Sequence, residues 1–343
     1  VMDIPKHGGD PIGLPDTGSN APMLDLATGV NPWVWPVPTP PIECYGKLPY
    51  FSEALQQAAA QYYGVAAEHI LATAGSQPVI QLLPSLASKG RVLLPAVGYE
   101  EHRFRWQLAG HNVFRFECYG RDVIAEHICR DSITHLVLIS PNNPSTHQVT
   151  VDDLIYWRTL LPDNGMLVVD QAFADANPES DVSALAGEQG IVLLRSVGKF
   201  FGLPGLRLGF VLAHSQLLAE LDRQLGPWAV SGPAQWIGQR ALVDDNWQQQ
   251  MLKTLQCTST AQAEILAATF RDSDVRCLKS GLFISLVMPL EKAKRLQLAC
   301  YQVGLSVRVY HCGGEGYMRW GLAKDSDELA RRLSLLDPNL LAA

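Results

Sequence analysis

The sequence is short of the features that mark several large classes of protein. It has no apolar run approaching the length of a membrane span, and its first residues, Val1-Met2-Asp3-Ile4-Pro5-Lys6, have no apolar signal-peptide core. Basic residues are in deficit, 27 against 34 acidic ones, for a net charge of −7. With no run of Lys or Arg, nothing offers a footprint for a nucleic-acid backbone. The seven cysteines (Cys44, Cys118, Cys129, Cys257, Cys277, Cys300 and Cys312) are odd in number, scattered and free of any C-x-x-C spacing. That argues against disulfides and against a zinc site, and suits free thiols in a reducing cytoplasm. Nine histidines form no H-x-x-x-H pair, so no metal is expected. No internal repeat or low-complexity tract interrupts the chain. At 343 residues, 47% hydrophobic and 18% charged, it can build one large domain and a smaller one.

The first 44 residues are rich in Pro and Gly, and Trp33-Val34-Trp35-Pro36-Val37-Pro38-Thr39-Pro40-Pro41 reads as an extended arm clasping its own protein or a symmetry mate. Ser52 to Tyr63 has helical periodicity, with Ser52 as N-cap and Gly64 as the stop. Short apolar runs suited to strands then recur at residues 70–73, 91–94, 113–116, 135–139, 166–169, 191–194 and 208–212. Helical stretches such as 77–86, 102–108 and 151–161 separate most of them. Buried strands alternating with helices predict an α/β fold with a doubly wound, mostly parallel sheet. The last two runs leave no room for a helix between them, which predicts a local reversal. Beyond about Asp245 a long helix, the run 282–286, another helix and the run 306–309 predict a smaller α/β domain completed by the N-terminal arm. The expected division is therefore 1–44 (arm, part of the small domain), 45–245 (large domain) and 246–343 (small domain).

The most specific motif is Ser196-Val197-Gly198-Lys199, with Arg207 eight residues after the lysine and Gly209 two beyond. A hydroxyl and a guanidinium suit a phosphate, and a primary amine suits an aldehyde. Pyridoxal phosphate carries both groups, and a lysine Schiff base is how proteins hold it. A surface lysine beside a Gly/Pro turn would explain Lys199 alone but not its neighbours. In open α/β sheets ligands sit at the carboxyl ends of the strands. After the first run Gly75-Ser76-Gln77 opens a helix whose N–H groups and Ser76 hydroxyl could take a phosphate. After the second stands Tyr99, able to stack on a planar ring. After the fourth comes Ser140-Pro141-Asn142-Asn143-Pro144, and after the fifth Asp170-Gln171-Ala172-Phe173. A carboxylate ending an apolar strand needs a partner, and a pyridinium nitrogen would be one.

Together these residues resemble the fold-type I pyridoxal-phosphate enzymes, the aspartate aminotransferase superfamily, over nearly the whole chain. The resemblance implies a cofactor held covalently by Lys199, with Asp170 on the pyridine nitrogen and Asn143 on the ring's phenolic oxygen. It places Gly75, Ser76, Gln77, Ser196 and Arg207 on the cofactor phosphate and Tyr99 over the ring face, Lys199, Asp170 and Tyr99 being the catalytic set. It also implies a homodimer in which Tyr45 reaches the neighbour's cofactor phosphate, although a core aromatic would suit Tyr45 equally. The superfamily usually has Asn-Pro-Thr-Gly where this chain reads Asn143-Pro144-Ser145-Thr146, and often Glu at Gln171. Both departures bear on loop shape more than on chemistry.

Within the superfamily, several segments are similar to the threonine-phosphate decarboxylases of cobalamin biosynthesis. They are His7-Gly8-Gly9, Thr28-Gly29-Val30-Asn31-Pro32 and Tyr45-Gly46-Lys47-Leu48-Pro49, joined by Arg308, His311-Cys312-Gly313-Gly314 and Tyr317-Met318-Arg319. This likeness implies Arg319 on the substrate carboxylate. It leaves Arg308, His7 and Asn31 for the substrate phosphate, with Asn143 also in the substrate site. Taken singly, His7 reads equally as a tail residue and Arg308 as a solvated strand charge. Two alternatives stay open: an aminotransferase of the histidinol-phosphate type, with the same cofactor residues, and a non-catalytic pyridoxal-phosphate regulator. The second has only 74 residues before the phosphate loop and no helix-turn-helix signal to support it.

Overall fold

The structure, a computed structural model, describes Pro5, residues 23–271 and residues 274–337. These form two compact units: residues 34–143 with 147–249, and residues 144–146 with the described residues before 34 and after 249. Among the described residues no helix is long and apolar enough to cross a membrane.

The first unit is built on seven strands: β1 (Ile70–Thr73), β2 (Arg91–Pro95), β3 (Asn112–Phe116), β4 (His135–Ile139), β5 (Leu167–Asp170), β6 (Ile191–Ser196) and β7 (Gly209–Ala213). Their order in the sheet is β1-β7-β6-β5-β4-β2-β3. All neighbours pair in parallel except β7, which runs antiparallel to β1 and β6. β4, β6 and β7 are buried almost throughout, as a sheet covered on both faces requires. Val137, Val168, Val192 and Val211 pack with Val79, Ile80, Leu83 and Trp106 from the flanking helices. Helix Glu53–Tyr63 has the expected ends: Ser52 Oγ accepts from Leu55 N–H at 3.4 Å, and Gly64 takes a left-handed φ of 65°.

The reversal of β7 gathers the chemistry. Gly209 is in register with Thr73 of β1 and Ser196 of β6. The start of β7, just after Arg207, therefore shares an edge with the carboxyl ends of the parallel strands. Asp170 ends β5 on that same edge, in register with Ile139 and Leu194.

The second unit carries an antiparallel sheet of four strands: β8 (Arg276–Lys279), β9 (Phe283–Pro289), β10 (Arg308–Cys312) and β11 (Glu315–Gly321), in the order β10-β11-β9-β8. Helices Leu290–Gln302 and Ser326–Leu333 belong to it. Residues 24–25 pair in parallel with residues 305–306, and Leu26 O accepts from Gly321 N–H at 2.7 Å.

The N-terminal arm, expected as one piece over 1–44, is shared between the units. Residues 23–33 belong to the second, whereas residues 34–44 join the first. The reason is Trp35, whose N–H donates to Phe201 O and whose Nε1 donates to Asp244 Oδ2, both at 2.9 Å. Its indole is buried, so the arm is fastened there by one apolar side chain and two hydrogen bonds. The later boundary falls after residue 249 rather than 245.

Candidate active site

At the β1–β7–β6 edge the chain makes a cradle of backbone and one guanidinium. Gly75 has φ 76°, open to glycine and strained for other residues. A Cβ there would stand 2.6 Å from Arg207 Nη2, so the guanidinium occupies the space a side chain would need. Arg207 itself takes φ 53°, and its guanidinium donates to Pro204 O at 3.1 Å and Ala74 O at 3.4 Å. Ser76 precedes helix Gln77–Leu86 but makes no side-chain capping bond, so capping does not explain its hydroxyl. Helix N-terminus, hydroxyl and guanidinium together suit a phosphate.

The Gln77 side chain is engaged elsewhere. Its Oε1 accepts from Tyr99 OH and its Nε2 donates to Glu101 Oε2, both at 2.9 Å. The carboxamide thus fixes the Tyr99 ring, and what Gln77 can offer a phosphate is its N–H. Glu101 is buried and also accepts from Arg105 Nε at 3.0 Å.

Asp170 is buried, and its Oδ2 lies 2.9 Å from His102 Nε2, while its Oδ1 accepts from Ala172 N–H at 3.0 Å. His102 was missed in the sequence, where it reads only as a helix residue. The available signal was its spacing: three residues after Tyr99, at the start of helix Glu100–Leu108, it shares that ring's face. The two rings meet edge-on at 6.1 Å.

Lys199 lies in the short helix Val197–Phe200 that directly follows β6, and its Nζ sits over the Phe173 ring, 5.4 Å from the centroid. The next residues lock the turn: Phe201 stacks on Trp247 at 5.6 Å, and Phe200 meets the same indole edge-on at 5.6 Å. In the loop after β4, Asn142 Nδ2 donates to Val97 O at 3.2 Å and to Tyr119 OH at 3.0 Å. Burial pushes the Tyr119 phenol well above its usual pKa, so it remains protonated and donates to Ile139 O at 3.0 Å. Asn143 is the next residue along this fixed loop. Thr146, where the superfamily has Gly, adopts the φ of 62° that a glycine there would take freely.

In the second unit Arg308 and Arg319 are cross-strand partners on β10 and β11. Their guanidinium carbons lie 4.9 Å and 5.5 Å from the Tyr310 ring centroid. Arg319 is buried and donates to Ala27 O. Burial lowers its pKa from the usual arginine value, Tyr310 opposes that, and the like charge of Arg308 adds to it. Asn31 is buried in the same unit, and its Oδ1 accepts from Trp33 N–H at 2.9 Å, so it shapes its own turn. His7 lies outside the described residues. Tyr45, on the turn Glu43–Gly46, is 61% exposed, which rules out the core-aromatic reading.

The residues of the first unit fit pyridoxal phosphate: a lysine amine, a buried carboxylate, a fixed phenol ring and a phosphate cradle on one sheet edge. Fold and site together define a lysine-centred α/β enzyme with a phosphate-bearing cofactor. The chain belongs to the family Aminotransferase class I and II, whose profile it matches over residues 45–334. It is similar to the threonine-phosphate decarboxylase of Pseudomonas aeruginosa, with 40% identity over 72% of this chain and 72% of that one. It is also similar to the threonine-phosphate decarboxylase of a Sinorhizobium species, with 37% identity over 65% of this chain and 66% of that one. The chain thus spans about two thirds of the length of the second relative. The fold is that of histidinol-phosphate aminotransferase from Sinorhizobium meliloti in complex with pyridoxal-5'-phosphate, at a TM-score of 0.76 and 16% identity, covering 88% of this chain and 85% of that one.

Proposed function

We propose that this chain is a pyridoxal-phosphate-dependent decarboxylase that converts L-threonine O-3-phosphate to 1-amino-2-propanol O-2-phosphate, in the cytoplasm and for cobalamin synthesis. The observation that carries the choice of substrate is the cross-strand pair Arg308 and Arg319 sharing Tyr310. Two adjacent cations, one of them buried, favour a substrate with two anionic groups. Threonine phosphate has a carboxylate and a phosphate; histidinol phosphate has only the phosphate. We assign Arg319 to the carboxylate and Arg308 to the phosphate, with His7, Asn31 and Asn143 as further substrate residues.

When bound, the cofactor supplies a protonated pyridine ring that accepts electron density from a bond broken at Cα. Lys199 Nζ binds its aldehyde carbon. Asp170, fixed by His102 and the Ala172 N–H, holds the proton on the ring nitrogen. The N–H groups at Ser76 and Gln77, the hydroxyls of Ser76 and Ser196 and the Arg207 guanidinium hold the phosphate, Asn143 donates to the phenolic oxygen, and Tyr99 covers the ring. The protein acts as a homodimer to which Tyr45 contributes across the seam.

The test is incubation of the pyridoxal-phosphate-loaded protein with threonine phosphate. Carbon dioxide release with the amino-alcohol phosphate as product is expected; keto-acid formation would move the chain to the aminotransferases. Lys199→Ala should abolish turnover. Arg308→Ala should cost about 2–5 kcal/mol of transition-state binding and erase the preference for threonine phosphate over threonine. An unchanged preference would mean the phosphate is read elsewhere.

A further inference from the structure

Lys199 lies with its amine over the face of Phe173. Nζ is 5.4 Å from the ring centroid, inside the ~6 Å at which an aromatic face attracts a cation. Phe173 is buried and Lys199 half-buried, so water screens the attraction only in part. The ring is held in place through its backbone. Asn177 Nδ2 donates to Phe173 O at 2.8 Å, and Ala174 N–H donates to Gln171 O at 3.0 Å. The Gln171 side chain is in turn held by Arg195 Nη1 at 2.9 Å.

We propose that the Phe173 face keeps the released Lys199 amine as the ammonium, and so selects loss of the carboxylate over loss of the Cα proton. The inference rests on the decarboxylase reading. A ring face attracts an ammonium and gives a neutral amine nothing comparable. The substrate would enter as its ammonium and leave that proton on the released Lys199 Nζ. A neutral Nζ beside Cα would instead be a base and take the Cα proton, which is how transamination begins. An ammonium there has no lone pair for a proton. The bond that breaks is then the one from Cα to the carboxylate: carbon dioxide leaves and the electron pair stays on the Cα side. The proton passes from Nζ to Cα, leaving a neutral Lys199 that can displace the product amine. Atoms and charge balance without an oxidant or reductant.

Two substitutions test this. Phe173→Leu keeps apolar bulk and removes the π face, and tetrafluorophenylalanine at 173 keeps the shape while weakening the face, which covers the case of a poorly folded leucine variant. One readout needs no turnover: acylation of Lys199 by acetic anhydride at pH 8 in the cofactor-free full chain, followed by mass spectrometry against the surface lysines of the same sample. Losing the face should speed Lys199 acylation roughly 3- to 30-fold. In the loaded enzyme the ratio of keto acid to carbon dioxide from threonine phosphate should rise at least about threefold, whereas a merely structural role would lower both products together. Unchanged acylation in both variants overturns the proposal, and so does faster acylation with an unchanged product ratio. A wild-type protein that releases no carbon dioxide would refute the decarboxylase reading instead, and the acylation rates would still decide whether Phe173 holds the ammonium.

Discussion

Arg195 shows why Gln171 is not a glutamate. The guanidinium is buried between Asp175 Oδ1 at 2.5 Å and Asp181 Oδ1 at 2.8 Å, and it also donates to Gln171 Oε1 at 2.9 Å. Burial opposes its charge, but Asp175, with smaller contributions from Tyr63 and Asp181, outweighs that and raises its pKa. One cation already faces two carboxylates, and a glutamate would add a third. Gln171 Nε2 also donates to the Ser180 carbonyl at 2.7 Å, where an ionised carboxylate would meet an acceptor instead of a partner. Gln171→Glu should therefore destabilise the protein by roughly 3 kcal/mol at pH 7. It should regain part of the loss near pH 5, as the new carboxyl protonates and can donate to Ser180 O. Urea unfolding of both proteins at the two pH values measures this, and equal stability at pH 7 would refute the account. The departure at 171 is visible in the sequence, but its cause is not, because Arg195, Asp175 and Asp181 meet only in the folded chain.

At the scale of elements, what was legible followed from local pattern. The parallel core, the antiparallel return of β7 and the ends of helix Glu53–Tyr63 depend on runs, spacers and caps a few residues long. The edge that gathers Gly75, Asp170, Ser196, Lys199 and Arg207 follows from the rule that α/β sheets present their carboxyl ends to ligands. What was not legible depends on contacts between distant elements. The His102–Asp170 bond spans 68 residues, and Phe173 reads as an ordinary core aromatic until Lys199 is placed over it. The split of the arm at residue 33 likewise depends on where Trp35 finds Phe201 and Asp244. The opposite end of the sheet holds another distant contact, with a consequence for pH. His135 on β4 donates from Nε2 to Ser88 O at 2.8 Å and accepts at Nδ1 from Met166 N–H at 3.0 Å, so both ring nitrogens are committed in the neutral form. His111 lies 5.5 Å from it, against the same Trp106 ring, with Nε2 2.7 Å from Pro84 O. Burial lowers the pKa of both histidines, and Lys89 adds to the effect on His111. The unfolded chain binds these protons more readily. Their stabilising contribution is thus complete above about pH 6.5 and is lost as pH falls through the folded values, by at most about 1.4 kcal/mol per group per pH unit. Thermal unfolding between pH 7.5 and 5 should show this slope, and His135→Gln should flatten it. A slope unchanged by the substitution would mean that His135 does not carry the effect.

For the whole molecule, the first unit leaves a run of large apolar side chains exposed: Val34, Val37, Ile42, Tyr45, Leu48 and Tyr50. Patches of this kind mark interaction surfaces, and a second copy of the chain is the partner that the proposed homodimer calls for. Tyr45 sits within that run, on a turn where its phenol can serve a neighbour's site. A phenol donating to a phosphate adds one charge-assisted hydrogen bond, worth about 1.5–3 kcal/mol. Tyr45→Phe should therefore weaken cofactor binding roughly ten- to a hundredfold without unfolding the protein. Mixing variants separates a shared site from a self-contained one. Inactive Lys199→Ala subunits are combined with Tyr45→Phe subunits at limiting pyridoxal phosphate. If the site is shared, each mixed dimer has one site with a native Lys199 from one subunit and a native Tyr45 from the other. Activity then rises above that of the Tyr45→Phe dimer alone. If each chain builds its site unaided, every site with Lys199 still has Phe at 45, and subunit exchange gives no gain. A flat response to mixing would remove the role of Tyr45 across the seam, and an active monomer in sedimentation would remove the dimer as well.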